Sequence, residues 1–275
     1  MALRSNSSFS SNESSLLEDS LKKLQEQIDA GCYDADEALS EVERLLVEGR
    51  DQHAKGSTTS GDERRDALRR AQKAAEISEK WLNTLPPELQ DKTTYAEALL
   101  LQANTLAHLA KHEKNDAMFE TARRKTEEAV VLLQGAARGN AYRIQGVIEF
   151  NQNRFQEAEN KFTLALQTYL AGCPGQFPKT IWCAVALWNL HLIFLKTKTR
   201  QEAVAFLKQA TLLRAEIDGK NGAFPNLYKS QLSTLTMDPK PKLDLSKEEV
   251  QMIEETLGVD LPGRLCVLGG FTLGH

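Results

Sequence analysis

Apolar residues recur at steps of three and four along most of the chain, the spacing that gathers side chains on one side of an α-helix. Leu17, Leu21 and Leu24 form a first stripe, opened by a cap at Ser14 or Ser15. Ala38, Val42, Leu45 and Leu46 form a second, in a helix expected from about Asp34 to Glu48. Ala67, Ala71, Ala74, Ala75 and Ile77 continue the pattern toward Trp81 and Leu82, and Pro86-Pro87 stops it. From Thr94 to Glu216 helical patterns alternate with short turns, and Phe224 to Leu235 reads as a further helix. The pattern predicts an all-α protein.

Breaks in the pattern suggest how it is organised. Residues 1–13, rich in Ser and Asn, read as a flexible N-terminus, and 14–61 as a helical hairpin followed by a linker, because Gly49 to Gly61 contains Lys55-Gly56-Ser57-Thr58-Thr59-Ser60-Gly61. Residues 62–235 form the main helical array. Residues 236–275 hold an extended spacer at Pro239-Lys240-Pro241-Lys242, a short helix opened by the capping-box pattern Ser246-Lys247-Glu248-Glu249, and an apolar tail from Leu261 to His275. That tail either packs on the array, plugs its groove, or is a segment another protein recognises.

Within the array, Tyr142, Gly146, Glu149, Ala158, Phe162 and Ala165 supply in order a large ring, a small residue, a groove residue, a small residue, a wedge and another small residue. Downstream, Ala203, Leu207 and Ala210 repeat the last three, with His191 in the place of Gly146. Upstream, Ala122, Thr126 and Ala129 do the same, while Ala103 and Leu106 fit a preceding helix given about seven extra residues between the two. This spacing resembles the tetratricopeptide (TPR) repeat, over about residues 90–216. Counted at Ala122, Ala158 and Ala203, the units lie 36 and 45 residues apart. The regular period is about 34, so both junctions carry insertions, the larger placed in Ala171 to Pro178.

The resemblance implies a solenoid of antiparallel helical hairpins in which each apolar face is covered by its neighbours. It also implies a concave groove lined by the first helix of each unit, and hence protein or peptide recognition. Carried over by position, the groove residues are Asn104 with Leu100 and Ala107, then Asn140, Arg143, Val147 and Phe150, then Trp188, Asn189 and Leu192 with Val185 and Leu195. Arg143 would meet a peptide carboxylate, the Asn side chains its backbone, and Trp188 with Phe150 its apolar side chains. The same aromatic and aliphatic residues could equally be core. One TPR subclass clamps acidic chaperone tails with two Lys, two Asn and one Arg. Here Asn104 and Asn189 match, but Leu100, Asn140 and Val185 stand where basic groups are needed, which argues against that ligand.

Composition narrows the classes. With 41% hydrophobic and 26% charged residues in 275, the chain has the makeup of a soluble globular protein, and a formal charge of -4 predicts no nucleic-acid footprint. The basic run Arg64, Arg65, Arg69, Arg70 and Lys73 sits among Asp62, Glu63, Asp66, Glu76 and Glu79 and reads as a solvated helix face. Ile181 to Leu195, the longest apolar stretch, is interrupted by Asn189 and His191 and predicts no membrane span. The start lacks the apolar core of a secretory signal, and the scattered Cys32, Cys173, Cys183 and Cys266 suit the cytoplasm or another reducing compartment. No Gly-x-x-x-x-Gly-Lys-Ser/Thr, His-Glu-x-x-His or Gly-x-Ser-x-Gly motif is present. His108 and His112 lack a third ligand at suitable spacing, and His191 is expected to meet a neighbouring helix.

The expectation is therefore a non-enzymatic scaffold or adaptor with no cofactor and no bound metal, recognising a protein or peptide partner. A homodimer through uncovered terminal stripes is compatible with it. The alternatives are a structural or assembly subunit of a larger complex, or an enzyme with an unfamiliar all-helical site.

Overall fold

The computed structural model describes residues 22, 23, 26, 30, 35–85, 90–172, 178–219 and 222–259. They form helices and connecting turns, with no strand among them. The helices are α1 (Ala35–Thr58), α2 (Gly61–Thr84), α3 (Lys92–Glu113), α4 (Asp116–Leu132), α5 (Gly135–Asn151), α6 (Phe155–Ala171), α7 (Ile181–Thr197), α8 (Arg200–Asp218), α9 (Ala223–Thr236) and α10 (Lys247–Leu257). The chain divides into two compact units, one ending at Met118 and the other starting at Phe119, in the first turn of α4. The apolar tail from Leu261 and the greater part of the helix expected at Leu17 to Leu24 lie outside the described residues.

In the first unit α2 packs against both α1 and α3. Val42, Leu45 and Leu46 of α1, Ile77, Trp81 and Leu82 of α2, and Ala98 and Leu101 of α3 share one buried cluster. The expected linker from Gly49 to Gly61 is instead helical as far as Thr58. Its glycines explain the difference. A Cβ on Gly49 would stand 2.8 Å from Leu101 Cδ2, and one on Gly56 would stand 2.8 Å from Leu68 Cγ. Both glycines permit close helix contact rather than a turn, so local flexibility gives way to packing.

In the second unit α5 pairs with α6, α6 with α7, α7 with α8 and α8 with α9. The close helix contact expected at Gly146 is present, and its partner is a ring: an added Cβ there would lie 2.9 Å from the Phe162 ring. It recurs at Gly139, where a Cβ would lie 2.6 Å from Tyr169. Gly139 precedes Gly146 by two turns and Tyr169 follows Phe162 by two turns, as antiparallel helices in close contact require. Glu149, expected in the groove, is buried and ion-paired with Arg123 of α4 at 3.1 Å and Arg154 at 3.5 Å. An acid at low exposure needs such partners, and they draw it toward α4.

Side-chain caps hold several helix starts. Thr180 accepts from Cys183 N before α7, and Thr199 with Glu202 forms a capping box at α8. The Ser246 and Glu249 box opens α10 as read from sequence. That helix rests on α6 and α8 through buried Ile253 and Leu257, with Gln167 Nε2 donating to the Leu257 carbonyl at 2.6 Å. Lys208 of α8 meets Glu249 at 2.8 Å.

Candidate functional site

Two neighbouring helices of the second unit carry most of the expected recognition residues. Asn140, Arg143, Val147 and Phe150 share one side of α5 by their helical spacing, and Trp188, Asn189 and Leu192 share one side of α7. The two helices contact each other. Asn140, Phe150, Trp188, Asn189 and Leu192 are half-buried, whereas Arg143 and Val147 are buried. Asn104 belongs to α3 of the first unit. It is half-buried, and its buried Oδ1 has no hydrogen-bond partner among the described residues.

Several of these side chains already have intramolecular partners. Trp188 stacks on Tyr228 of α9, ring centres 4.1 Å apart and planes at 11°. Phe150 meets Phe155 edge to face at 5.8 Å. Asn189 donates its Nδ2 to the Val185 carbonyl one turn back, at 2.8 Å, so its amide nitrogen is engaged within α7. Trp188 and Phe150 thus act in part as core residues.

Arg143 is different. Its side chain is only 4% exposed, and Nε donates to Asn140 Oδ1 at 2.9 Å. The Trp182 indole stacks over the guanidinium, 4.6 Å from its carbon to the ring centre, while remaining 44% exposed itself. The Tyr169 hydroxyl lies beside the guanidinium, buried and outside ordinary hydrogen-bonding geometry. Burial pushes the Arg143 pKa down, with Tyr169 opposing. Burial pushes the Tyr169 hydroxyl well up, against the pull of Arg143, so it stays protonated and can donate. No carboxylate lies within ion-pairing distance of Arg143 among the described residues.

A related cluster follows one hairpin later. Arg214 of α8, also 4% exposed, lies under the Phe224 ring at 4.4 Å and pairs with Asp218 at 2.5 Å. Tyr228 is beside it, its hydroxyl pushed up to about 12 by burial, with Arg214 opposing. Counted along the chain, Arg214 follows Tyr169 by 45 residues and Trp188 follows Arg143 by the same interval. The arginine and the aromatic have exchanged helices.

His191 occupies the place that Gly146 holds in the preceding hairpin and is fully buried. Gln231 Nε2 of α9 donates to His191 Nε2 at 2.9 Å, so the proton sits on Nδ1 and is donated to the Ala203 carbonyl of α8 at 2.8 Å. Desolvation lowers its pKa, the Ala203 bond opposing, which keeps the ring neutral at neutral pH. The expected contact with a neighbouring helix is present, and it joins three helices.

Trp182, Tyr169, Arg214, Phe224 and Tyr228 escaped the groove assignment made from sequence. The 45-residue interval that aligned Ala158 with Ala203 also aligns Tyr169 with Arg214, a signal that was readable. Trp182 precedes the first groove position taken on α7, and only packing reveals that it covers Arg143.

No group of three or more His, Cys, Asp or Glu among the described residues could hold a metal ion. No helix described is long and apolar enough to cross a membrane. The basic run of α2 is engaged in part by acids, with Arg69 bonded to Glu113 at 3.0 Å and Arg65 to Asp62. The chain matches no protein-family model, no curated protein and no solved structure.

Proposed function

We propose that the protein is an interaction scaffold or adaptor, built as a TPR-like helical solenoid, whose second unit recognises a protein or peptide segment along the α5–α7 side. The observation that carries this reading is Arg143, a buried guanidinium on that side with no acidic partner among the described residues. Folding alone does not reward such a residue, because taking a charge out of water is costly unless it is paired. The half-exposed Trp182 above it offers a large apolar surface beside a fixed charge, a combination common at recognition sites. Close glycine-to-ring contacts at Gly139 and Gly146 hold α5 against α6, which keeps the α5 face preformed and lowers the ordering cost of binding.

The test is photo-crosslinking of the full chain in lysate, with a photoreactive residue at Asn140 or at Leu192 and a control at Val131, which is 79% exposed on α4. The expected result is one protein species captured from both Asn140 and Leu192 and absent from Val131. Equal capture from all three positions, or none, overturns the reading.

A further inference from the structure

The buried charges of the described residues follow one rule with one exception. Glu149 is paired with Arg123 and Arg154, Glu159 with Lys198 at 2.7 Å, Glu249 with Lys208, and Arg214 with Asp218. Arg143, as buried as any of them, has only the neutral Asn140, Tyr169 and Trp182 around it. Deepening the adaptor reading and resting on it, we infer that Arg143 and Tyr169 form a receptor for a single carboxylate presented by a partner peptide, with Trp182 as the surface along which the residue carrying it lies.

The geometry selects this chemistry. With Nε committed to Asn140, the terminal N–H groups of the guanidinium remain as a planar fork suited to the two oxygens of a carboxylate. The Tyr169 hydroxyl is buried without a hydrogen-bond partner and is a donor at neutral pH, so one bound carboxylate would satisfy both groups at once. A dianionic phosphate group suits the site less well, because it calls for more than one cation. Lys179, close to Trp182 in sequence, is engaged by Glu216 at 3.4 Å. The indole is the one member of the cluster that is widely exposed, which puts the apolar contact of the ligand at the entrance and its charge at the base.

A carboxylate can come from a peptide C-terminus or from an acidic side chain, and four probes separate them. The full chain is titrated with acetyl-Leu-Ala-Leu bearing a free C-terminus, with its C-terminal amide, and with the two amidated peptides that end in Glu or in Gln. Binding is followed at the indole N–H resonance of Trp182, assigned with Trp182→Phe. One carboxylate probe is expected to bind about tenfold or more tightly than its neutral counterpart, the scale of a charge-assisted bidentate contact. The preference should vanish in Arg143→Gln and shrink about threefold in Tyr169→Phe, the loss of one hydroxyl bond. The wild-type comparison of charged with neutral probes does not depend on Arg143→Gln or Tyr169→Phe folding, so it stands without them. Equal response to charged and neutral probes, or no response to any, overturns the carboxylate receptor. If crosslinking from Asn140 and Leu192 still captures one partner in that case, the adaptor reading survives without it.

Discussion

Arg143 and Arg214 are the two most buried arginines described, and each is covered by an aromatic ring near the start of another helix, Trp182 of α7 for one and Phe224 of α9 for the other. Only Arg214 has an acid, Asp218, one turn further along its own helix. The second cluster is closed within the fold: charge, counter-charge and ring are all supplied locally. The first has no anion among the described residues. The same arginine-and-ring motif is thus an internal latch in one hairpin and, on the proposed reading, an incomplete site in the hairpin before it. Asp218 makes the difference.

The comparison can be broken most forcefully through the helix contact that holds Tyr169. Gly139→Val places a Cβ against the buried Tyr169 ring and should cost about 3 kcal/mol, as overpacking of a tight helix contact does, while disturbing the Arg143 cluster with it. Urea unfolding followed by tryptophan fluorescence would measure this; a change below about 1 kcal/mol would mean that Tyr169 is not fixed by Gly139. Arg214→Met comes next. It leaves Asp218 without its partner and is expected to destabilise by about 2 kcal/mol, less than for a wholly buried pair because Asp218 retains access to solvent. The matching Arg143→Met should have the opposite sign, stabilising by about 1 kcal/mol, since it replaces an uncompensated buried charge by an apolar chain of similar length. If both methionine variants lose stability equally, the distinction between latch and site is wrong.

The smallest effect sharpens the comparison through pH. His191, where the first hairpin has Gly146, is neutral in the fold with its pKa lowered, so the unfolded chain binds more protons below its ordinary value of about 6.5. Stability supplied by the second hairpin should thus fall as pH drops from 6.5 toward the folded value. For one proton the loss between pH 6.5 and 5.5 is at most about 1 kcal/mol. Comparing unfolding at the two pH values in the wild type and in His191→Leu isolates this share, and an unchanged pH dependence in the variant would show that His191 does not carry it.

Short-range chemistry made most of the secondary structure readable. The three- and four-residue apolar steps, the Ser246 and Glu249 box and the Phe224 to Leu235 helix each depend on residues within a turn or two, and among the described residues they appear as helices. That Gly146 serves close helix contact was legible from its place in the repeat pattern, while its partner, the Phe162 ring, is shown by the packing. What lay beyond reach depended on atoms distant in the chain. Gly49 and Gly56 read as breakers until Leu101 and Leu68 are seen filling the space a Cβ would take. Arg143 was picked out as a recognition residue, but neither its depth nor its missing counter-ion could be read, because both are sums over α5, α6 and α7 rather than properties of one helix. For Trp188 the helical spacing left groove and core equally open, and the Tyr228 ring against its face decides for a share in the core. Helical periodicity decides which side of a helix is apolar; only packing decides what covers that side, and so which buried charge is left unpaired.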